Sequence, residues 1–313
     1  MREYAKYLNT PQTAADINSI LDALGLFPDR SKRVIIDGVV SQFECAQWLF
    51  EECIKDGAEN RSLALLATSK EELRDTVLSY MNTLQDQPIS VYINNSVYGL
   101  LDYEKVWYNG FLEALHKPSM WTALADNMYK LIQGNATNAF LVYGIEDIRD
   151  WHHEANQFIT LNDGISGPNH WPGDRQTFLD KIAPFFNYSL FSPAQSKIYY
   201  IRQHWDVPKK HSYVPRKDVK TTHPLLIIST TYDPICPLIG ARSANEAFEG
   251  SQVVEVKGYG HCSVAVPSVC LAKHVRAFLY EGKLPDTYTQ CEVDSPLLPP
   301  ARQERAGVGS QTL

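Results

Sequence analysis

No stretch of this sequence approaches the ~18 consecutive apolar residues that a membrane-crossing helix requires. The longest apolar runs, Leu63 to Ala67 and Ala139 to Tyr143, are short. The opening residues, Met1-Arg-Glu-Tyr-Ala-Lys-Tyr-Leu-Asn-Thr-Pro11, lack an apolar h-region, so no signal peptide is expected and the chain reads as soluble. Basic residues are outnumbered, 29 Lys+Arg against 36 Asp+Glu, for a net charge of −7 and a pI near 5.7. A nucleic-acid partner calls for a basic footprint, which is missing. The one basic cluster, Lys209, Lys210, His211, Arg216, Lys217 and Lys220, reads as a solvated loop. Cysteine is scarce: six in 313 residues exclude a disulfide scaffold, and no C-x-x-C or Cys/His zinc spacing occurs. His152-His153-Glu154 lacks the i, i+4 spacing of a metal-binding helix, so neither metal nor cofactor is expected. Four N-x-S/T sequons, at Asn60, Asn94, Asn135 and Asn187, point with the cysteines towards an oxidising compartment. The missing leader points the other way, which leaves the compartment open.

What is present is ordinary globular material, 44% hydrophobic and 21% charged, enough for one large domain or two. Thr10-Pro11 reads as a helix start, Ile17, Ile20, Leu21 and Leu24 recur at helical spacing, and Gly25 ends the helix. Arg33-Val-Ile-Ile-Asp-Gly-Val-Val40 follows as a short buried strand. Residues 41–205 then read as helix after helix, over 43–56, 70–85, 97–116, 120–133, 145–157, 174–186 and 193–202. All six tryptophans fall in this stretch, most of them expected as core. Strand signals return at His223 to Thr230 and at Gln252 to Lys257. Each is followed by a turn and a helix, about Leu238 to Phe248 and about Ser268 to Tyr280. This alternation predicts parallel pairing. The Pro/Gly-punctuated polar segment after Pro296 is expected to be disordered.

Two residues of this C-terminal part stand where parallel α/β sheets place their chemistry, directly after consecutive strands. Asp233 follows the first and His261 the second, 28 positions on. A carboxylate there can accept from the imidazole Nδ1–H and fix the tautomer, so that Nε2 serves as general base. Gly258 and Gly260 allow the tight approach that projects the imidazole. The alternative is that Asp233 caps the next helix and His261 is incidental. Acid before histidine is the order of α/β-hydrolases, in which the nucleophile comes earliest.

These residues also carry a family resemblance. His223-Pro-Leu-Leu-Ile-Ile-Ser-Thr-Thr-Tyr-Asp-Pro-Ile-Cys-Pro-Leu238 and Gly258-Tyr-Gly-His-Cys-Ser263 resemble the C-terminal domain of fungal and actinomycete tripeptidyl aminopeptidase-like enzymes. So do Pro267-Ser-Val-Cys270, Lys273-His-Val-Arg-Ala-Phe278, Gly282-Lys-Leu-Pro285 and Cys291-Glu-Val-Asp294. These are α/β-hydrolases related to proline iminopeptidases. Asp16 to Gly25 and Arg33 to Gly38 resemble the segments on either side of that family's nucleophile, and 41–205 corresponds to its cap. The resemblance implies acid and base roles for Asp233 and His261, and a peptide or small-molecule substrate under the cap. It also implies that full-length relatives are secreted.

The sequence departs from the family at the nucleophile. Relatives carry a strand and a G-x-S-x-G elbow between the helix and the Phe-Pro-Asp-Arg run, whereas here Gly25 is followed by Leu26 and then Phe27-Pro-Asp-Arg30 at once. The only glycine with serine two places on is Gly164-Ile-Ser166, which closes on Pro168 within the cap. The early His-Gly-Gly-type loop that supplies an oxyanion amide is also missing. Without serine no acyl-enzyme forms, and the remaining triad members add little, because they act as a unit. By the same resemblance, the family's cysteine partner of Cys53 is replaced here by Arg61, and a second cysteine pair by Leu161 and Arg202. Cys262, Cys270 and Cys291 can still form one bridge, with the pairing open.

The expected architecture is therefore α/β: a partial α/β-hydrolase core, a parallel sheet of about three to four strands, with a large all-helical cap insertion. The division expected is 1–40 as a core remnant, 41–205 as cap, 206–294 as the core segment with acid and histidine, and 295–313 as tail. With its neighbouring strand gone, Val34, Ile35 and Ile36 lie on an open edge, which favours poor solubility. The leading expectation is a serine exopeptidase-family chain without its nucleophile and so inactive as written. A mis-set exon boundary at Gly25/Leu26 and a late start codon are the simplest origin. The alternatives are a non-catalytic binding relative and an esterase acting on a secondary metabolite. Glu146, Asp147 and Glu154 are secondary candidates to receive a substrate ammonium.

Overall fold

The computed structural model describes residues 33–38, 46–145, 150–186, 191, 196–208 and 217–295. The helix expected at 11–25, Glu146 and Asp147, most of the basic cluster and the tail beyond 295 lie outside the described residues. The chain divides into two compact units, one of Ala46–Ile145 and the terminal residues, the other of Met1–Cys45 with Glu146–Val293. The first described strand, β1 (Ile35–Asp37), belongs to the latter.

Within 46–145, α1 (Ala46–Asp56) buries Leu49, Phe50 and Cys53 and packs against α2 (Lys70–Asp86). α2 buries Leu73, Val77, Met81 and Leu84, one stripe at helical spacing. Its start is specified by Ser69, whose hydroxyl accepts from the Glu72 amide at 3.2 Å, while the Glu72 carboxylate reaches back to the Thr68 amide at 2.8 Å. The Thr68 amide, joined by the Thr68 hydroxyl at 2.9 Å, holds the Glu72 carboxyl below its ordinary pKa.

The segment that follows is not helical where the sequence predicts a helix from 97. β2 (Ile89–Asn94) and β3 (Val97–Leu101) form an antiparallel hairpin with Asn94 opposite Val97. Ile-Ser-Val-Tyr-Ile-Asn alternates in burial, Val91 and Leu101 facing in and Tyr92 and Tyr98 facing out. The apolar spacing that suggests a helix belongs only to its C-terminal part, the π-helical turn Lys105–Leu112 and its continuation Glu113–His116. Trp107 and α3 (Trp121–Ile132) complete the core, with Trp121 buried and its Nε1 donating to the Ala114 carbonyl at 2.9 Å. Both tryptophans are core residues, whereas Trp48, Trp171 and Trp205 are only partly buried, so the expectation that most of the six are core is met in part. A further helical run over 137–144 was not expected. Arg61 is also fully buried, ion-paired through Nε to Asp56 at 2.6 Å and bonded to the Thr122 hydroxyl at 3.1 Å. Burial pushes the neighbouring Cys53 thiol up to about 12, with the Arg61 charge acting in the opposite sense.

The other unit contains α4 (Asp150–Asp163), α5 (Arg175–Phe186), α6 (Ser196–His204), β4 (Leu226–Tyr232), α7 (Leu238–Ala247), β5 (Gln252–Tyr259), α8 (Val269–Arg276) and β6 (Thr289–Glu292). Arg202 of α6 bonds the carbonyls of Thr160 and Ile165, on either side of the buried Leu161. The four strands pair in the order β1-β4-β5-β6, all parallel, with Ile35 opposite Leu226, Leu226 opposite Gln252 and Val254 opposite Thr289. Successive residues of the β-branched runs point to opposite faces, and helices cover both. Leu226, Ile228, Val254 and Val256 pack with Leu271, Phe278 and Cys291 on the α8 side. Leu225, Ile227 and Val253 pack with Ala241 of α7 on the other. Each such side chain contributes about 1.5–3 kcal/mol of burial before chain entropy is subtracted.

This is a partial α/β-hydrolase fold with four parallel strands. The fourth, β6, is too short to stand out in the sequence. Among the described residues no strand pairs with the outer side of β1, and Val34 beside it is 37% exposed.

Candidate active site

β4 and β5 end side by side, and their next residues converge. Asp233 is buried, and its carboxylate is held by the chain that follows it: Oδ1 accepts from the amides of Ile235 at 2.8 Å and Cys236 at 2.7 Å. Such an Asx-type turn is what aspartate at a strand end provides before proline. After β5, Gly260 adopts φ 110°, a conformation for glycine, and its amide donates to the Tyr232 carbonyl at 3.1 Å. Gly258 is instead a packing glycine, where a Cβ would come within 2.8 Å of Val293. The turn delivers His261 with Nδ1 at 3.1 and 3.2 Å from the two Asp233 oxygens. Asp233 is sealed off, whereas the His261 side chain is 31% exposed. The expected pair is thus brought together, and helix capping and histidine contact are two jobs of one carboxylate rather than alternatives.

The loop beyond His261 is strained and doubly clamped. Cys262 sits at φ 61°, ψ 170°, a region costly for any residue but glycine. Its amide donates to Asp233 Oδ2 at 2.8 Å. The next residue, Ser263, donates its amide to Asp37 at 3.0 Å and its hydroxyl at 2.7 Å. Two carboxylates, from the ends of β1 and β4, therefore fix the loop that carries the imidazole.

Gly38 (φ 73°) lies against this loop: a Cβ there would stand 2.5 Å from Cys262 Sγ and 3.6 Å from Cys236 Sγ. Cys262 Sγ also approaches His261 Nε2 at 3.4 Å. Burial, reinforced by the Asp37 and Asp233 carboxylates, pushes the Cys262 thiol up to about 11. The Cys236 thiol rises to about 12, by burial and then the Asp233 charge. Neither is an activated thiolate.

The sequence signals do not place Asp37, Cys236 or Ser263 at the site, and Cys262 enters them only as a disulfide candidate. Asp37-Gly38 after an apolar strand is a usable signal, since it repeats the strand-end aspartate logic of Asp233. The partnership of Asp37 with Ser263, 226 positions apart, has no local signature. Ser166, of the Gly-Ile-Ser sequence, is buried, with its hydroxyl donating to the Leu161 carbonyl at 2.7 Å. Of the three C-terminal cysteines, Cys270 pairs with Cys291, and Cys262 is free. No helix among the described residues is long and apolar enough to cross a membrane.

A family model described as TAP-like protein matches residues 188–291, the segment that carries both Asp233 and His261. The tripeptidyl aminopeptidase of Streptomyces lividans is 22% identical over 330 aligned positions, covering 90% of this chain and 58% of that enzyme. Over residues 188–291 the chain is similar to the TAP-like α/β-hydrolases. The tripeptidyl aminopeptidase of Streptomyces coelicolor is likewise 22% identical over 90% of this chain and 57% of the relative. Carboxylesterase B of Mycobacterium tuberculosis is 24% identical over 58% of this chain and 36% of the relative. The chain thus spans less than three fifths of the length of the curated relatives it matches.

Proposed function

We propose that Asp233 and His261 are the acid and general base of a serine-hydrolase site whose nucleophile this chain, as written, does not carry. The observation that supports this is the contact of His261 Nδ1 with the buried Asp233 carboxylate at the ends of adjacent parallel strands. Asp233, held by three backbone amides, orients the imidazole and stabilises the imidazolium that forms on proton uptake. His261, with Nδ1 engaged, presents Nε2 for proton transfer. The missing partner is the serine hydroxyl of a G-x-S-x-G turn, a pattern that occurs nowhere in the 313 residues. Buried Ser166 and the high-pKa thiol of Cys262 do not replace it.

The substrate class is a short peptide with a free N-terminus, after the tripeptidyl aminopeptidase relatives, and an ester is the second substrate to test, after the carboxylesterase relative. The chain as written is expected to hydrolyse neither aminoacyl-4-nitroanilides nor 4-nitrophenyl esters above the rate of free imidazole. Turnover by the folded chain that disappears in Asp233→Asn contradicts the proposed loss of activity and leaves the acid role standing. Turnover insensitive to both Asp233→Asn and His261→Ala contradicts the assignment of the site.

A further inference from the structure

Away from the Asp233–His261 pair, the same unit holds a second grouping of soft ligands. Cys270 and His274 stand one turn apart on α8, so both side chains lie on one helix face. Cys291 faces them from β6, buried among Leu271, Phe278 and Val256. The Cys270 and Cys291 sulfurs are joined as a disulfide, and the His274 ring lies close enough that all three ligand atoms fall within 4.8 Å of one another. Cys270 and His274 are half-buried, so an ion has a path from solvent, whereas Cys291 is 1% exposed.

We propose that Cys270, His274 and Cys291 form a redox-gated site for Zn2+, closed as a disulfide when oxidised and open to the ion when reduced. Tetrahedral zinc holds cysteine sulfur at about 2.3 Å and histidine nitrogen at about 2.0–2.1 Å, which sets neighbouring ligand atoms about 3.5–3.8 Å apart. The three ligand atoms lie within 4.8 Å of one another, so once the sulfur–sulfur bond opens, side-chain rotation of the two cysteines has to bring them to that spacing. Two thiolates and an imidazole select a borderline-soft cation over Mg2+ or Ca2+, and water fills the fourth position. The i, i+4 spacing on α8 presets two ligands, and pairing of β6 with β5 sets the third.

The chemistry balances with a dithiol as reductant. Its two sulfur–hydrogen bonds are exchanged for one sulfur–sulfur bond, and the Cys270–Cys291 bond is reduced to two thiols. Zn2+ then displaces the two thiol protons to solution. Disulfide and metal compete for the same sulfurs, so ion binding raises the cost of re-oxidation and oxidation expels the ion. The site is independent of the hydrolase assignment, because neither Asp233 nor His261 takes part.

The test uses the full chain, reduced with a dithiol, freed of it anaerobically and titrated with Co2+ as a spectroscopic stand-in for Zn2+. The expected result is one equivalent bound, with a thiolate-to-cobalt charge-transfer band and tetrahedral d–d bands that Zn2+ bleaches, and no such bands in the oxidised chain. His274→Ala leaves the disulfide intact and removes one ligand. It should weaken binding at least as much as the roughly 10–100-fold cost of an outer-shell change. Far-UV circular dichroism follows the fold throughout. The proposal is overturned if the reduced chain binds no Co2+ or unfolds on reduction. It is equally overturned if the bands survive His274→Ala but vanish in Cys262→Ser, which places the ion at the Asp233–His261–Cys262 cluster.

Discussion

The Ser263 hydroxyl donates to the carboxylate of Asp37 at 2.7 Å, tying the loop that bears His261 to the end of β1. Asp37 accepts the Ser263 amide as well, so one side chain holds two donors of the loop. Asp37→Ala strips both of their acceptor. A loss of about 2–4 kcal/mol is expected, since a hydrogen bond to a charged group is worth about 1.5–3 kcal/mol. Urea melts should show it, with faster amide exchange centred on 261–265. Unchanged exchange there would count against the clamp.

Cys262 provides a test of strain. Its φ of 61° and ψ of 170° cost a non-glycine residue about 1–3 kcal/mol. Comparing Cys262→Gly with Cys262→Ala removes the sulfur from both and leaves only the backbone difference. The glycine variant should be the more stable by about 1–2 kcal/mol, against the usual order in which glycine loses to alanine. The reverse order in matched denaturation curves would show that the loop relaxes out of this conformation.

The same residue has a chemical signature. With its thiol raised from 9.0 to about 11, Cys262 carries roughly 100-fold less thiolate than an unperturbed cysteine at neutral pH. Iodoacetamide labelling, quantified by peptide mapping, should be slower by about that factor and should climb steadily to pH ~10. Labelling as fast as that of a peptide thiol would show that burial and the two carboxylates do not govern it.

Glu255, buried in β5, contributes a pH dependence. Burial alone raises its pKa, but hydrogen bonds from Gln290, Thr231 and Tyr288, with the Arg242 charge, win, and the result lies below the ordinary 4.5. A carboxyl depressed on folding contributes stability that is complete above its unfolded pKa and is lost as pH falls through the folded one. The melting temperature of the parent should therefore exceed that of Glu255→Gln at neutral pH, with the gap narrowing below about pH 4.5. A gap that widens on acidification reverses the sign of the effect.

Much of the C-terminal part was legible in the sequence because its signals are local. The β-branched runs of β4 and β5, the aspartate and glycines at their ends, and the apolar spacing of α7 and α8 are each contained in a dozen residues, and they sufficed to bring Asp233 and His261 to 3.1 Å. What escaped depends on distant partners or on competing periods. The hairpin of β2 and β3 merged with the helix after it, because Val97, Leu100 and Leu101 fit a helical stripe as well as a strand. The choice of Cys291 over Cys262 for Cys270 depends on where β6 pairs, and the Asp37–Ser263 tie joins chain ends that only the sheet brings together.

The central proposal, an acid–base pair without its serine, is tested most directly by putting the serine back. Three chains are compared by labelling with a fluorophosphonate. They are the chain as written, one with a strand, G-x-S-x-G turn and helix inserted between Gly25 and Leu26, and that same insertion combined with His261→Ala. Covalent labelling is expected only in the second, at the inserted serine. Labelling of the chain as written that depends on His261, or labelling of the insertion chain that survives His261→Ala, would contradict it.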